Sequence, residues 1–472
     1  MKINYNISAM ISNDHLLFNE ARLSSSTERL SSGLKVNRAE DDPTGMAIGI
    51  KMRSQIRALE QAEKNSQNGT SVLETADGAL GELTSMLQRM RELSVEAAND
   101  TQTPADRANI QLEMDELIEE VDRISKDTEF NTLSLFDGTL NTRAYATTSN
   151  TTYPNSVTVI DTKNVTAGEY VFTVQAAASR GTVTGTNNTT SSVPEGTLTI
   201  NGISIAFTSG MSSSDVWDAL KEGCEYAGVE VTSSESTFTL GSSSLEFKSC
   251  VYGDSLSLEI SASTASVATF LGLQDTLTAS NEYSYTTTGT DVVISLDSTS
   301  SFTGMESYVT NGQRVTIHGE NGFEMIVEAE SIGDVTVNAT DMGALYLQIG
   351  ASENQSITVD IPEMSAHVLG IDEINVQNSQ GAGYAITLLD TAIAHVNSVR
   401  STIGAAENRL EHTKTNLDTT QETMTSAYSR IMDVDMAEEM TTFTNMQILV
   451  QAGTSVLAQA NELPDQALQM LR

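Results

Sequence analysis

From Leu389 onward an aliphatic residue or Met returns at every seventh position: Leu389, Val396, Ile403, Leu410, Leu417, Met424 and Ile431. A seven-residue rhythm sustained this long demands a long α-helix with one face laid against another helix, as in a coiled coil. At ~1.5 Å per residue, about 50 residues give ~75 Å of helix. The a-type positions between them include Arg400, Glu407, Lys414 and Gln421, so the apolar seam narrows there. Polar residues at such positions set register and direction.

A second helical stripe lies near the start of the chain. Val72, Ala76, Ala79, Leu83, Met86, Met90, Leu93 and Ala97 are spaced by alternating fours and threes. The stripe breaks at NDTQTPAD, where Thr103-Pro104 suits a helix start, and resumes through Ile110, Met114, Leu117, Val121 and Ile124. Both chain ends carry stripes too. Ile3, Ile7, Met10, Ile11, Leu17, Phe18, Ala21, Leu30 and Leu34 mark one in the first 34 residues. Met446, Leu449, Gly453, Val456, Ala460, Leu463, Ala467 and Met470 mark another, widened by Val450, Leu457 and Leu471. Chain ends are usually polar and frayed, so an apolar end calls for a covering surface. The economical arrangement pairs the N-terminal helix with the C-terminal one, with the middle of the chain as a folded insertion.

That middle has a different texture. EYVFTVQA (169–176), TLTINGISIAF (197–207), DVVISL (291–296), QRVTIH (313–318), FEMIVEA (323–329) and ITVDI (357–361) are β-branched and alternating, and each predicts a strand. SDVWDALKEGCEYA (214–227) predicts a short amphipathic helix. The fold class is therefore α+β and multidomain: long coiled-coil-like helices from both ends, with a mainly β central insertion.

Charge narrows the functions available. The chain holds 25 basic and 63 acidic residues, a net of −38. Residues 141–376 alone hold 6 basic and 28 acidic ones, a net of −22. Nucleic-acid and anionic-membrane surfaces need clustered Lys and Arg, so neither is an expected partner. No apolar stretch reaches 18 residues, which predicts no membrane insertion. MKINYNISAMISNDHLLFNEA has no h-region, so the chain is expected either to stay in the cytosol or to leave without a cleaved signal.

Chemistry is equally sparse. His15, His318, His367, His395 and His412 form no HExxH and neighbour no cysteine at ligand spacing, so neither a metal nor another cofactor is expected. No P-loop, GxSxG elbow or dinucleotide fingerprint occurs, and no enzyme is expected. Cys224 and Cys250 are either a disulfide pair or two separate small apolar residues.

Several long segments resemble bacterial flagellins. They are LSSSTERLSSGLKVNRAEDDPTGMAI (23–48), LQRMRELSVEAANDT (87–101) with the following ADRANIQLEMDEL and FNTLSLFDGT, LQIGASENQSITVDI (347–361), GAAENRLEHTKTNL (404–417), SRIMDVDMAEEM (429–440) and LAQANELPDQALQMLR (457–472). EGTLTINGISIAF is similar to a short motif of some flagellin and hook-associated insertions. The resemblance implies a filament-core helix at 1–42, an inner helical domain from 43–142 and 343–428, an outer β-rich insertion at 143–342, and a second core helix at 429–472. It implies a homopolymer, secreted through the flagellar type III apparatus into the extracellular filament, with hook-associated proteins, cap proteins and an export chaperone as further partners. Terminal ordering on assembly follows from the same resemblance, with Leu449, Val456, Leu463 and Leu471 on the assembly stripe. It also implies recognition by the vertebrate toll-like receptor for flagellin through Arg89, Leu93 and Glu113. The alternatives are a hook–filament junction protein, which has similar termini, and an adhesin acting through the β insertion.

Overall fold

The computed structural model describes residues 6–148, 157–186, 192–234, 238–239, 243–273, 283–297, 300–302, 304–340 and 342–470, leaving aside the side chains of 321 and 463–470. It divides into two compact units. The first comprises residues 1–69, 348–356 and 409–472; the second comprises 70–347 and 357–408.

Helices dominate both ends. They are α1 (Ile7–Ser32), α2 (Pro43–Ala97) and α3 (Pro104–Asp127), then after the β region α6 (Ala366–Leu369), α7 (Ser379–Met432) and α8 (Met436–Met470). Their limits have local causes. Gly33 ends α1 in the left-handed conformation at φ 73°, which costs glycine little. Asp42 caps α2 by accepting from the Thr44 and Gly45 amides, with Pro43 at the first turn. Thr103 and Asp106 form a capping box at α3, behind the expected Thr-Pro start.

In the second unit the heptad of α7 is buried as its spacing predicts. Leu389, Val396 and Ile403 are completely inaccessible. The facing row of α2 is Leu73, Ala76, Leu80, Leu83, Leu87 and Met90, all inaccessible. Arg400 answers the narrowing of the seam: its Nε donates to Asp77 Oδ1 at 2.9 Å. In the first unit Leu59, Ala62, Leu417 and partly Met424 continue the packing of α2 and α7.

The insertion folds around two separate cores within the second unit. One lies between two four-stranded antiparallel sheets. Their orders are β13 (Val293–Leu296), β5 (Gly168–Ala176), β17 (Gly333–Ala339), β3 (Ala144–Thr148), and β14 (Ser307–Asn311), β15 (Arg314–His318), β16 (Glu324–Ala329), β4 (Val157–Lys163). The other core joins β6 (Arg180–Thr184), β10 (Leu245–Tyr252) and β9 (Val229–Ser233) to β12 (Ser284–Thr288), β11 (Ser257–Ala262), β7 (Gly196–Ile200) and β8 (Ile203–Phe207). Helices α4 (Ser213–Ala227) and α5 (Ala265–Phe270) pack into it. Two-stranded sheets β1 (Glu129–Phe130) with β2 (Leu133–Ser134) and β18 (Leu345–Gln348) with β19 (Ser356–Val359) complete the set among the described residues.

One expected strand divides. TLTINGISIAF is a hairpin, with Ile200 opposite Ile203 across a two-residue turn. Asn201 and Gly202 sit at φ 46° and 83°, the doubly left-handed turn that an Asn-Gly pair favours.

Candidate assembly surface

Within the first unit α1 packs antiparallel along α8. Asn6 Nδ2 donates to the Ala460 carbonyl at 2.7 Å, and at the other end Leu34 bridges to Asp433. The side chains turned inward on α1 recur at Ala9, Ser12, Leu16, Asn19, Leu23, Ser26 and Leu30, a three-four rhythm. Those on α8 are Met446, Val450, Gly453, Leu457 and Ala460. Ala, Ser and Gly alternate with Leu, Met and Val along this seam, and the approach is close at Gly453, where an added Cβ would lie 3.3 Å from Leu16 Cδ1.

A second set of large apolar residues lies outside this seam. On α1, Ile7, Met10, Ile11, Leu17 and Phe18 are 52–67% exposed. On α8, Ile448, Leu449 and Val456 are 45–57% exposed. The terminal stripe thus splits: Met446, Gly453 and Ala460 face α1, while Leu449 and Val456 face away from it. Ile3 and Leu471 lie outside the described residues, and so does the side chain of Leu463. Spacing finds the helices but not this division, because large apolar residues stand on both faces and the inner seam is set apart only by the Ala, Ser, Asn and Gly between them.

In the second unit Arg89 on α2 meets Glu113 on α3. Its Nη2 and Nε donate to Glu113 Oε1 at 2.7 and 2.9 Å. Glu113 holds the guanidinium protonated above its ordinary range. Both side chains are about half exposed, while Leu93 is 2% exposed and belongs to the core. Cys224 is buried in the α4 core, Cys250 is exposed on β10, and both are free thiols. Burial pushes the Cys224 thiol up to about 12. Among the described residues no group of three or more His, Cys, Asp or Glu is placed to hold a metal ion. Among the same residues no helix is long and apolar enough to cross a membrane.

The pattern described as bacterial flagellin N-terminal helical region matches residues 3–141, and that of the C-terminal helical region matches 386–471. A flagellin of Clostridium tyrobutyricum is 32% identical, over 98% of this chain and 99% of its own. The chain belongs to the bacterial flagellin family. A Salmonella muenchen flagellin is 30% identical over 100% of this chain and 99% of its own, and polar flagellin C of Vibrio parahaemolyticus is 29% identical over the same shares. Flagellins are structural subunits of the extracellular flagellar filament and serve motility rather than catalysis. The long helices that flank this chain's β-rich middle are the segments that the two family patterns cover.

Proposed function

We propose that this flagellin polymerises through the outer faces of α1 and α8. The observation that carries this reading is that Ile7, Met10, Ile11, Leu17, Phe18, Ile448, Leu449 and Val456 stay exposed there although Leu16, Leu23, Met446 and Leu457 already fill the seam between the helices. Single exposed apolar residues are ordinary, but a row of them along two paired helices is an interaction surface. These side chains are already about half covered, so burying the rest of eight of them against neighbouring copies contributes on the order of 6–12 kcal/mol before the entropy of association is subtracted. Heterologous contacts that do not close on themselves generate an open helical polymer. Charge supports the same surface. The first unit holds 13 basic and 18 acidic residues, a net of −5, against 12 and 45, a net of −33, in the second. Packing many copies side by side is least repulsive through the nearly neutral unit.

On this reading α1 and α8 draw most of their stability from neighbouring copies, since isolated amphipathic helices are marginal in water. Export through the flagellar type III apparatus, an export chaperone for the apolar ends, and hook-associated and cap proteins at the filament's two ends complete the proposal. The half-exposed Arg89–Glu113 pair is its candidate contact for the toll-like receptor for flagellin.

The test is seeded growth. Purified chain is added to short filament fragments in neutral salt and imaged in negative stain. Wild-type protein should extend the seeds into long tubes. Replacing Leu449 and Val456 with Ser should leave the monomer's melting unchanged and stop extension. Extension at the wild-type rate by that variant would remove the outer face of α8 from the interface. A folded wild-type monomer that never extends seeds would favour a hook–filament junction role.

A further inference from the structure

We propose that the buried Asp161 carboxyl, set against His395 in the seam between β4 and α7, holds a proton, and that this seam is tight while the proton is bound and loosens when it is lost. Both residues belong to the second unit.

The geometry begins with a β-bulge. In the pairing of β16 with β4, Ile326 faces Asp161 and Val327 faces Val159, so Ile160 is left without a partner. A bulge of this kind bends an edge strand and re-aims a side chain. Asp161 is 4% exposed as a result, an unusual setting for a carboxylate. Its Oδ1 accepts from Asn141 Nδ2 and from the Thr162 amide, each at 2.8 Å. Its Oδ2 faces His395 Nε2 of α7 at 3.5 Å. That ring nitrogen is buried and makes no hydrogen bond among the described residues. One turn further along α7, Ser398 accepts from Lys163 Nζ, so the end of β4 touches the helix twice.

The surrounding charges fix the direction. Glu324 on β16 lies near enough to Asp161 to disfavour its ionisation, and the groove that Asp161 borders is also lined by Asp137, Arg143 and Glu363. Burial raises the Asp161 carboxyl above its ordinary range, and Glu324 adds to this; His395, the Thr162 amide and Asn141 pull the other way. A carboxyl raised in the folded state binds its proton more tightly than it does in the unfolded chain. The stability it contributes is therefore complete at low pH and is lost as pH rises through the folded value. Loss of the Asp161 proton leaves a buried carboxylate beside Glu324. Opening the seam to water is then the available relief. The flagellar filament faces the external medium, so this strand-to-helix contact would follow the acidity around the cell.

Hydrogen exchange of the full-length chain, read by mass spectrometry, tests this. Protection of residues 157–163 and 391–398 is followed from about pH 5 to pH 8.5 and corrected for the intrinsic exchange rate. In the wild type it should fall as pH rises, because the Asp161 carboxyl is raised in the folded chain. Asp161→Asn should hold protection flat across the range, with residues 196–207 of the β7–β8 hairpin unchanged as a control of folding. His395→Gln, which keeps the Asn141 and Thr162 bonds to Asp161, should move the transition to a different pH. If Asp161→Asn fails to fold, the His395→Gln profile decides alone. A pH profile in either folded variant that coincides with the wild type would overturn the proposal, as would a flat wild-type profile.

Discussion

At the scale of single residues the most informative positions are polar groups where spacing calls for apolar ones. Glu407 stands in the α7 seam with its Oε1 buried and without a hydrogen bond among the described residues. Burial, then Asp77 and Glu74, raise its carboxyl above the ordinary range. Its stability contribution is thus complete below the usual glutamate range and is lost as pH rises through the folded value. Glu407→Gln should raise the thermal unfolding midpoint at about pH 7 and leave it unchanged near pH 4; equal midpoints at both would show that the carboxylate is solvated. Arg89, Leu93 and Glu113 separate in the same way. Leu93→Ala empties a core site and should cost about 2–5 kcal/mol, so a lost receptor response there reports on folding. Arg89→Ala leaves the core intact and should weaken receptor binding at an unchanged melting midpoint. Full binding by that variant would end the proposed contact.

Among elements, long periodic helices were legible in the sequence and most strands were not. The heptad from Leu389 to Leu417 lies in buried seams, and Thr103-Pro104 opens a helix. Strands such as β12, Ser-Tyr-Thr-Thr-Thr, or β14, Ser-Tyr-Val-Thr-Asn, alternate too little to stand out from Thr-rich loops. Edge strands overhang their cores, so their sequence carries no buried period; β14 has no buried position. The Arg400–Asp77 pair is 34% and 40% exposed, and such pairs contribute at most about 1 kcal/mol, so its consequence is register rather than stability. Close packing is sharper. A Cβ on Gly223 of α4 would overlap the Ile205 side chain of β8. Gly223→Ala should therefore destabilise the α4 core by about 1–3 kcal/mol, measured as faster hydrogen exchange through 196–227. Unchanged exchange would show that α4 rides freely over the sheet.

For the whole molecule, charge is distributed by unit. The net of −33 on the second unit repels its copies when they are brought together, while on the proposed reading the apolar faces of the first unit attract. Screening shortens that repulsion to about 8 Å at physiological ionic strength. The rate of seeded extension should therefore rise steeply between about 0.01 M and 0.15 M salt and then level off, followed by light scattering. A rate that falls over the same range would mean that attractive ion pairs, rather than apolar burial, drive growth.

By itself the sequence determined the helical ends, the β-rich acidic middle, the seam of α7 and the resemblance to flagellins, because repeating periods and long motifs survive without coordinates. The tertiary structure alone decided which face of each terminal helix is spent inside the chain. Ser12, Ser26, Gly453 and Ala460 are silent in hydropathy, yet they let α1 and α8 approach and leave Ile7, Phe18, Leu449 and Val456 outside. It alone brought Asp161 to His395, 234 positions away in the chain, through a one-residue bulge that shifts the strand's pairing. Such contacts depend on how elements meet, and a local pattern records only what each element is.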